Sequence, residues 1–296
     1  MDVLIVSFNA KEQLWVTLAT LLAHAPQRSR LELRVSVYDN ASSDGSADMV
    51  ADHFPQVTVL RADTNRGFAR AMNALATRSS ADYLLLLNSD VIVERDLISP
   101  LVTELNARPD AVAVGPRLVY PGGAIQYSAN HFPTLTYEYA KLIKGTRVGR
   151  LLRGLFDSEA VVRRVHQIAE TERRSLPWEP DFVWATCWLL RRSDVVARGL
   201  FDETFPLYDE DLDFCMRARA HGRTMLYVPG VELVHLGGTS STSDSKRRLM
   251  ITARRRYYRR HYGRLAAMLY VAGLDVIPML VRGVAAVPVS ASSRIV

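Results

Sequence analysis

Residues 83–90 read Tyr-Leu-Leu-Leu-Leu-Asn-Ser-Asp, and the fold can be worked out from this segment. Its apolar run is continuous, which is typical of a strand buried on both faces in a parallel sheet that is covered by helices. Three polar residues, Asn88, Ser89 and Asp90, follow the run directly. Because ligands of such sheets bind beyond the carboxyl ends of the strands, these residues lie where a polar ligand is expected.

Segments with strand and helix patterns alternate on both sides of this strand. The other predicted strands cover 3–8, 33–38, 57–60 and 111–115. Helical spacing of apolar residues marks 11–23, and helices are also expected over 69–76 and 97–106. Gly45-Ser46 opens a further helix, with Ser46 as its expected N-cap. This order predicts an α/β fold with a mostly parallel, doubly wound sheet and helices on both faces.

Polar residues also follow the first three strands. The first strand ends at Ser7-Phe8-Asn9, the second ends at Asp39-Asn40, and the third is followed by Asn65-Arg66-Gly67. Taken singly, these motifs are ordinary turn signals. Together they collect at one edge of the sheet, where the Asp90 carboxylate is suited to Mg²⁺ or Mn²⁺, ions that take oxygen ligands and bridge phosphates.

The composition narrows the class of protein. The 296 residues are 48% apolar and 23% charged, which excludes a mainly disordered, collagen-like or coiled-coil chain. Cys187 and Cys215 are the two cysteines, too few for a disulfide framework or a four-ligand Cys/His zinc cluster, and they fit a reducing compartment. The N-terminus is interpreted as a first strand and not as a signal peptide.

The net charge of +6 is unevenly distributed. Residues 246–296 hold eleven Lys/Arg and one acidic residue, so the remaining chain is mildly acidic and is not expected to bind nucleic acid. A basic, tyrosine-containing run followed by an apolar segment over 265–289 predicts attachment to an anionic membrane surface. Charges and prolines interrupt the apolar part, which makes it a poor transmembrane span. The alternative is a solvated basic helix followed by a helix packed on the body.

These features suggest a domain over 1–245 and a helical C-terminal tail over 246–296. Within the domain, 134–176 has the character of a helical insertion, with nine basic and four acidic residues over 141–176. The insertion could be a lid, a second membrane-facing element or a solvated helical hairpin.

A second acidic cluster contains Asp209, Glu210, Asp211 and Asp213. A helix that begins here accounts for part of it, since the helix dipole favours acids in the first turn. Asp211, near the N-terminal rim, could accept a proton from a hydroxyl group. His235 follows strands expected at 225–228 and 231–234 and leads into a glycine-rich loop. It could therefore turn back toward a metal, although a lone histidine is more often structural.

In their order along the chain, these motifs resemble those of glycosyltransferase family 2 enzymes with the GT-A fold. The likeness is to the rhamnosyltransferase-like branch that acts on bacterial cell-surface polysaccharides. The matching segments lie within residues 3–238 and comprise 6–9, 39–46, 65–69, 87–91, 199–203, 208–217, 228–229 and His235.

The resemblance implies a role for each matching position. The donor nucleotide would contact Ser7, Asn9, Asp39, Asn40, Asn65, Arg66, Gly67, Asn88, Ser89 and Asp90. A divalent metal, Mg²⁺ or Mn²⁺, would contact Asp90 and His235. The catalytic base would be Asp211, with Glu210 and Asp213 as neighbours. The acceptor pocket would include Trp184, Asp209 and Glu210. Two departures from the family pattern are Asn88, in place of the first acid of the Asp-x-Asp motif, and Thr186-Cys187, in place of Gly-Ala.

The resemblance also implies the reaction. A sugar such as rhamnose would pass with inversion from a dTDP- or UDP-linked donor to a saccharide or a polyprenyl-diphosphate-linked saccharide. The enzyme would be cytoplasmic and peripheral on the inner face of the membrane, with a homodimer left open. Two alternatives are a nucleotidyltransferase-like metal enzyme, although residues 7–15 hold no glycine-rich phosphate loop, and a non-catalytic nucleotide-sugar-binding protein.

Overall fold

The computed structural model describes residues 1–26, 32–143, 174–205, 207–237 and 243–285. The chain divides into two compact units. The sheet unit comprises Met1–Phe132 and Ile168–Arg254, and the helical unit comprises Pro133–Gln167 and Arg255–Val296. Most of the expected insertion (144–173) and the end of the tail (286–296) lie outside the described residues, and the domain boundaries expected from the sequence remain predictions.

The strands of the sheet unit are mostly buried and range from 2 to 12 residues in length. They are β1 Asp2–Ser7, β2 Arg34–Asp39, β3 Val57–Arg61, β4 Tyr83–Asn88, β5 Val91–Ile92, β6 Ala111–Val119, β7 Ile125–Gln126, β8 Ala129–Asn130, β9 Phe182–Val183, β10 Cys187–Arg191 and β11 Thr224–His235. The helices are α1 Lys11–Ala23, α2 Ser46–His53, α3 Phe68–Arg78, α4 Ile98–Ala107, α5 Leu135–Ile143, α6 Arg192–Arg198, α7 Glu210–Ala220, α8 Ser243–His261 and α9 Gly263–Ala285. Of these, α5 and α9 belong to the helical unit, and α8 runs from the sheet unit into it.

Within the described residues, nine strands form one mixed sheet in the order β3-β2-β1-β4-β10-β6-β11-β5, with β7 paired to β6. β3, β2, β1 and β4 are mutually parallel, as are β6 and β11. The predicted α/β fold is therefore confirmed, and the sheet is mixed, with four parallel and four antiparallel pairings among its described strands. As the continuous apolar run predicted, Leu84–Leu87 at its centre are completely buried.

One strand that the sequence analysis did not assign decides how the site is built. β10 lies between β4 and β6 and is antiparallel to both. Because it runs against β4, its first residue, Cys187, pairs with Leu87 at the end of β4. The segment that precedes β10 therefore reaches the edge of the sheet at which β4 ends.

Two local predictions need correction. Ser46 was expected to cap α2, but Gly45 is the N-cap, with a φ of 80° that suits glycine, and Ser46 is the first helical residue. The two strands expected at 225–228 and 231–234 are one strand, β11, with a register shift between Val228 and Glu232.

Among the described residues, none of the helices combines the length and the apolar content that a membrane span requires.

Candidate active site

The ends of β1 and β2 bring Ser7 and Asp39 together. The two residues are register partners in the parallel pair, and both are almost completely buried. Asp39 Oδ2 accepts a hydrogen bond from the Ser42 N–H at 3.1 Å. The Ser7 hydroxyl and Asp39 Oδ1 have no partner in the part of the chain that the structure describes. A buried polar atom without a hydrogen-bond partner lowers the stability of the folded protein. Two such atoms at the end of neighbouring strands therefore mark a place where a polar ligand could form the missing hydrogen bonds.

The loops after β1 and β2 interlock above this pair. The Asn9 N–H donates to the Ser42 hydroxyl at 2.9 Å, and Asn9 Oδ1 accepts from the Ser43 N–H at 2.8 Å. Asn9 and Ala41 both have positive φ, 49° and 67°. Backbone in this sparsely populated region is found disproportionately at ligand sites, where surrounding bonds hold it in place.

Asn40 organises the loop after β3. It is buried, its Oδ1 accepts from the Arg66 N–H at 2.8 Å, and its Nδ2 donates to Asn65 Oδ1 at 3.0 Å. Asn65 Oδ1 also accepts from the Gly67 N–H at 2.9 Å. The predicted residues Asn40, Asn65, Arg66 and Gly67 therefore form one network. Its bonds leave the exposed Arg66 guanidinium unpaired among the described residues.

Asp90 and His235 lie together although 145 positions separate them in the sequence. Their elements meet because β5 pairs antiparallel with β11, with His235 opposite Val91. The Leu236 N–H donates to the Asp90 carbonyl at 2.9 Å. The His235 Nε2 atom is 3.4 Å from Asp90 Oδ1, and both side chains are partly exposed. The structure thus brings the two predicted metal-contacting residues to one point.

A residue that the sequence analysis missed, Gln126 in β7, fixes the orientation of His235. Gln126 Nε2 donates to the His235 carbonyl at 2.6 Å, so its Oε1 atom faces the ring Nδ1 at 2.7 Å. Since Oε1 can only accept, Nδ1 carries the hydrogen. In the neutral ring, Nε2 then presents its lone pair toward the Asp90 carboxylate.

Asp90 and His235 fit a divalent cation. The unprotonated Nε2 of His235 and the Asp90 oxygen are both electron-rich and lie 3.4 Å apart, so a cation that contacts both would stabilise them. Neighbouring ligands of an octahedral ion are about 3 Å apart, which is close to this distance. No group of three or more His, Cys, Asp or Glu side chains able to hold a metal occurs within the described ranges. A cation here would therefore complete its coordination with water and phosphate oxygens, as Mg²⁺ commonly does.

Asp211 lies in the first turn of α7. Its Oδ2 accepts from the Ala185 N–H at 3.3 Å and its Oδ1 from the Leu212 N–H at 2.8 Å. Burial and the negative charge of Asp209 raise the pKa of Asp211 to about 6, although the backbone hydrogen bonds and Arg254 act in the opposite direction. A carboxylate with a pKa just below neutral is suited to accept a proton, because it is ionised at pH 7 and yet basic.

The neighbours of Asp211 differ from it and from each other. Glu210 is buried, its Oε2 atom has no partner among the described residues, and burial together with the charge of Asp211 raises its pKa well above the usual value. Asp213 is completely buried and forms an ion pair with Arg217 at 2.8 Å. Arg217 also donates to the carbonyls of Arg198 and Leu200. Asp213 therefore stabilises the helix and its surroundings.

The loop before α7 is held by Arg254. Tyr208 and Asp209 have positive φ, 69° and 62°. The Arg254 guanidinium contacts both oxygens of Asp209, at 2.8 and 3.1 Å. The sequence analysis grouped Arg254 with the membrane-facing tail, but within the sheet unit it fixes the predicted acceptor-pocket residue Asp209.

The segment 184–186 connects the two acidic centres. The Asn88 N–H, at the end of β4, donates to the Thr186 carbonyl at 2.9 Å, and the adjacent Ala185 N–H donates to Asp211. Asp90 lies two residues beyond Asn88, next to Ser89. The Trp184 side chain, predicted for the acceptor pocket, is 37% exposed. Both centres therefore adjoin the edge of the sheet at which β4 ends.

Sequence reasoning missed Gln126, the role of Arg254 and the linking role of 184–186. Only Gln126 had a local signal, because Pro121-Gly122-Gly123 is a turn sequence that predicts a hairpin and hence the short strand β7. The other two depend on contacts between elements distant in the chain.

Sequence comparison identifies the family of the chain. Residues 2–197 match the family described as Glycosyl transferase family 2. An N-acetylglucosaminyl-diphospho-decaprenol L-rhamnosyltransferase of Mycobacterium tuberculosis is 28% identical over 240 residues, covering 77% of this chain and 74% of that protein. The rhamnosyltransferase WbbL of Escherichia coli is 24% identical over 155 residues, 52% of each protein.

Structure comparison gives the same fold. The mannosyltransferase PcManGT of Pyrobaculum calidifontis, solved in complex with GDP-Man and Mn²⁺, is 15% identical and matches with a TM-score of 0.62 over 96% of this chain and 72% of that chain. The predicted GT-A-type fold is thereby confirmed.

Proposed function

Since the chain belongs to glycosyl transferase family 2 and is therefore a glycosyltransferase, we propose that it transfers its sugar with inversion and with Asp211 as the base. The donor is a dTDP- or UDP-linked sugar, with rhamnose as the first candidate in view of the relatives. The acceptor is a hydroxyl group of a saccharide or of a lipid-linked saccharide in cell-surface glycan synthesis.

The observation that carries this proposal is the connection of two unlike acidic centres through residues 184–186. One centre, Asp90 with His235, is suited to a cation, and the other, Asp211, is suited to a proton. A displacement at a sugar carbon needs both, because negative charge grows on the leaving diphosphate while the attacking hydroxyl loses a proton.

The residues at the strand ends would bind the donor. The nucleotide would satisfy the unpaired atoms of Ser7 and Asp39, with Asn9, Asn40 and Asn65 shaping the loops around it. Arg66 and Gly67 would pass near the phosphates, where the unpaired guanidinium is available for a charge-assisted hydrogen bond. Asn88 and Ser89 would contact the donor beside Asp90.

Asp90 and His235 would hold the divalent metal, Mg²⁺ or Mn²⁺, and Gln126 would keep the His235 ring in the ligating tautomer. When bound, the metal would offset the charge on the diphosphate oxygens.

Asp211 would accept the proton of the acceptor hydroxyl while its oxygen bonds to the anomeric carbon. The bond from that carbon to the diphosphate breaks in the same step, and the nucleoside diphosphate leaves with the electron pair. A single displacement inverts the configuration at the carbon. Burial and the charge of Asp211 raise the pKa of Glu210, which opposes a second negative charge beside Asp211.

Donor binding and product configuration test the proposal. With Mg²⁺ or Mn²⁺, a thermal-shift panel of dTDP-rhamnose, UDP-sugars and GDP-mannose should show one preferred donor. Binding at a hundred times Kd adds about 2.7 kcal/mol of stability and raises the Tm by several degrees. Proton NMR of the product formed with a saccharide acceptor should show an inverted anomeric linkage. A retained configuration, or no stabilisation by any nucleotide sugar, would contradict the proposal.

A further inference from the structure

Three arginines surround one pocket in the helical unit. Arg255 and Arg259 near the end of α8 and Arg264 at the start of α9 line it together with Ala267 and Met268. All three arginines are exposed, and none pairs with a carboxylate or carbonyl in the described part of the chain. Three like charges around one concavity repel one another, so the pocket is suited to an anion with several oxygens, such as a phosphate.

An exposed apolar stripe on α9 begins beside this pocket. Leu265, Met268, Leu269 and Val276 are 69%, 67%, 45% and 49% exposed, and Ala272 between them is also exposed. Their spacing of three, four, seven and eleven residues from Leu265 places them on one face of the helix. Asp275, also exposed, lies next to this stripe.

Other positions around α9 already pack inside the helical unit. The Tyr139 hydroxyl of α5 donates to the Leu269 carbonyl at 2.6 Å. Gly273 is needed for the close approach, since a Cβ there would overlap the Tyr139 ring. Tyr270 is buried, with its ring 5.2 Å from that of Tyr258. The stripe is therefore apolar surface of α9 beyond the part that packs on Tyr139 and Tyr258.

We propose that the pocket and the stripe together bind an anionic phospholipid bilayer. Arg255, Arg259 and Arg264 take lipid phosphates, and Leu265, Met268 and Leu269 enter the boundary between headgroups and acyl chains. α9 then lies in the plane of the surface, since an interfacial helix combines one apolar face with cations beside it. The inference goes beyond the proposed transfer reaction and does not depend on it.

Charge complementarity argues for an anionic bilayer as the occupant. An identical face of a second copy would bring its own three unpaired arginines against these, which opposes a symmetric contact. A bilayer of anionic lipid offers phosphates beside the pocket and apolar chains beside the stripe.

Vesicle sedimentation with the full-length protein tests the proposal. Wild type should bind equimolar phosphatidylglycerol–phosphatidylcholine vesicles and not pure phosphatidylcholine vesicles. The triple variant R255Q/R259Q/R264Q should bind at least about tenfold more weakly, a loss of about 1.4 kcal/mol. The variant L265S/M268S/L269S, which keeps the full charge, should also lose binding.

The matched control R247Q/R256Q/R260Q removes the same charge from α8 outside the pocket and should bind within about twofold of wild type. Circular dichroism and donor-induced thermal shifts would establish that each variant is folded, and failure of the transfer reaction would leave the vesicle result intact. Equal losses in the pocket and control variants would overturn the site, because net charge alone would then explain binding.

Two other occupants are also distinguished. Stabilisation by millimolar inorganic phosphate in wild type but not in R255Q/R259Q/R264Q, without vesicle binding, would show a free-phosphate site. A dimer in analytical ultracentrifugation that L265S/M268S/L269S converts to monomer would show a second copy on the stripe. Either result would refute the lipid proposal.

Discussion

Asp90 and Asp211 are both aspartates at the same edge of one sheet, and their surroundings are opposite. Asp90 follows a strand, is partly exposed and faces an imidazole nitrogen. Asp211 begins a helix, lies beside Asp209 and Glu210, and has a pKa raised by burial and by the charge of Asp209. The first environment favours a carboxylate that holds a cation, and the second favours one that holds a proton.

The difference shows that the role of an acidic residue depends on the groups that surround its carboxylate. Asp213, two residues after Asp211, has yet another environment, since its charge is taken up by Arg217. Asp90, Asp211 and Asp213, all in the sheet unit, therefore support three different roles, and substitutions can separate them.

The largest effect is expected for Asp211→Asn. An amide cannot accept the hydroxyl proton, so kcat should fall by about 10²- to 10⁴-fold while donor affinity is kept. The Tm should not fall, because the substitution removes a buried charge whose folded-state pKa is raised. Single-turnover assays and donor-induced thermal shifts measure the two quantities.

Asp213→Asn is the matched control on the same helix. It should lower the free energy of unfolding by about 2–3 kcal/mol, because Arg217 loses its charged partner, and leave kcat of the folded fraction nearly intact. If Asp211→Asn lost stability and kept its activity, the two roles would have to be exchanged.

A smaller effect is expected for Gln126→Leu, which keeps the size of the side chain and removes both bonds to His235. Loss of such a support to a metal ligand weakens metal binding by about 10- to 100-fold. Electron paramagnetic resonance of free Mn²⁺, titrated with protein in the presence of nucleoside diphosphate, measures this directly. Wild-type Mn²⁺ affinity in a folded Gln126→Leu variant would refute the positioning role of Gln126. The variant His235→Ala, which lacks the proposed ligand itself, gives the full loss of Mn²⁺ affinity for comparison.

The pH dependence should give the smallest shift. Because Asp211 must be ionised to act, kcat/KM should rise with pH through an apparent pKa of about 6 and reach a plateau above it. Arg254 lowers this pKa, while Asp209 raises it. Arg254→Gln should therefore move the rising limb to higher pH, by less than about one unit.

Arg254→Lys keeps the positive charge, so the apparent pKa of its kcat/KM profile should lie between the values of wild type and Arg254→Gln. Glu210 and Cys215 also adjoin Asp211, and each has a pKa raised mainly by burial. Conversely, a limb that moves to lower pH in Arg254→Gln would show that Asp211 is not the titrating base.

The sequence predicted what depends on periodicity and on the rule for strand ends. The run over 84–87 is a doubly buried strand, as predicted. The polar residues after β1, β2 and β4 do lie at one edge, as the pairing of Ser7 with Asp39 and of Val6 with Asn88 shows. The convergence of His235 on Asp90 was anticipated from the family resemblance, because nothing local to residue 235 indicates its partner.

The sequence did not predict two kinds of feature. One is a strand inserted between two others in the sheet, and the other is a contact between residues that are distant along the chain. β10 separates β4 from β6, and no pattern within 187–191 indicates that this strand enters the sheet antiparallel. Arg254 lies in a run of basic residues that resembles a solvated or membrane-facing surface. Its bond to Asp209 depends on where α8 lies, which a charge pattern does not encode.

The Gln126–His235 arrangement also bears on how the enzyme should be handled. The Nδ1 atom of His235 is hydrogen-bonded to Gln126, which leaves Nε2 as the atom available to a metal. By the Irving–Williams order, an imidazole nitrogen binds late first-row metals more tightly than manganese or magnesium. Nickel or zinc carried over from affinity chromatography would therefore compete for Asp90 and His235. If Asp90 and His235 hold the metal as proposed, a preparation stripped with chelator and reloaded with manganese should turn over faster than an untreated one.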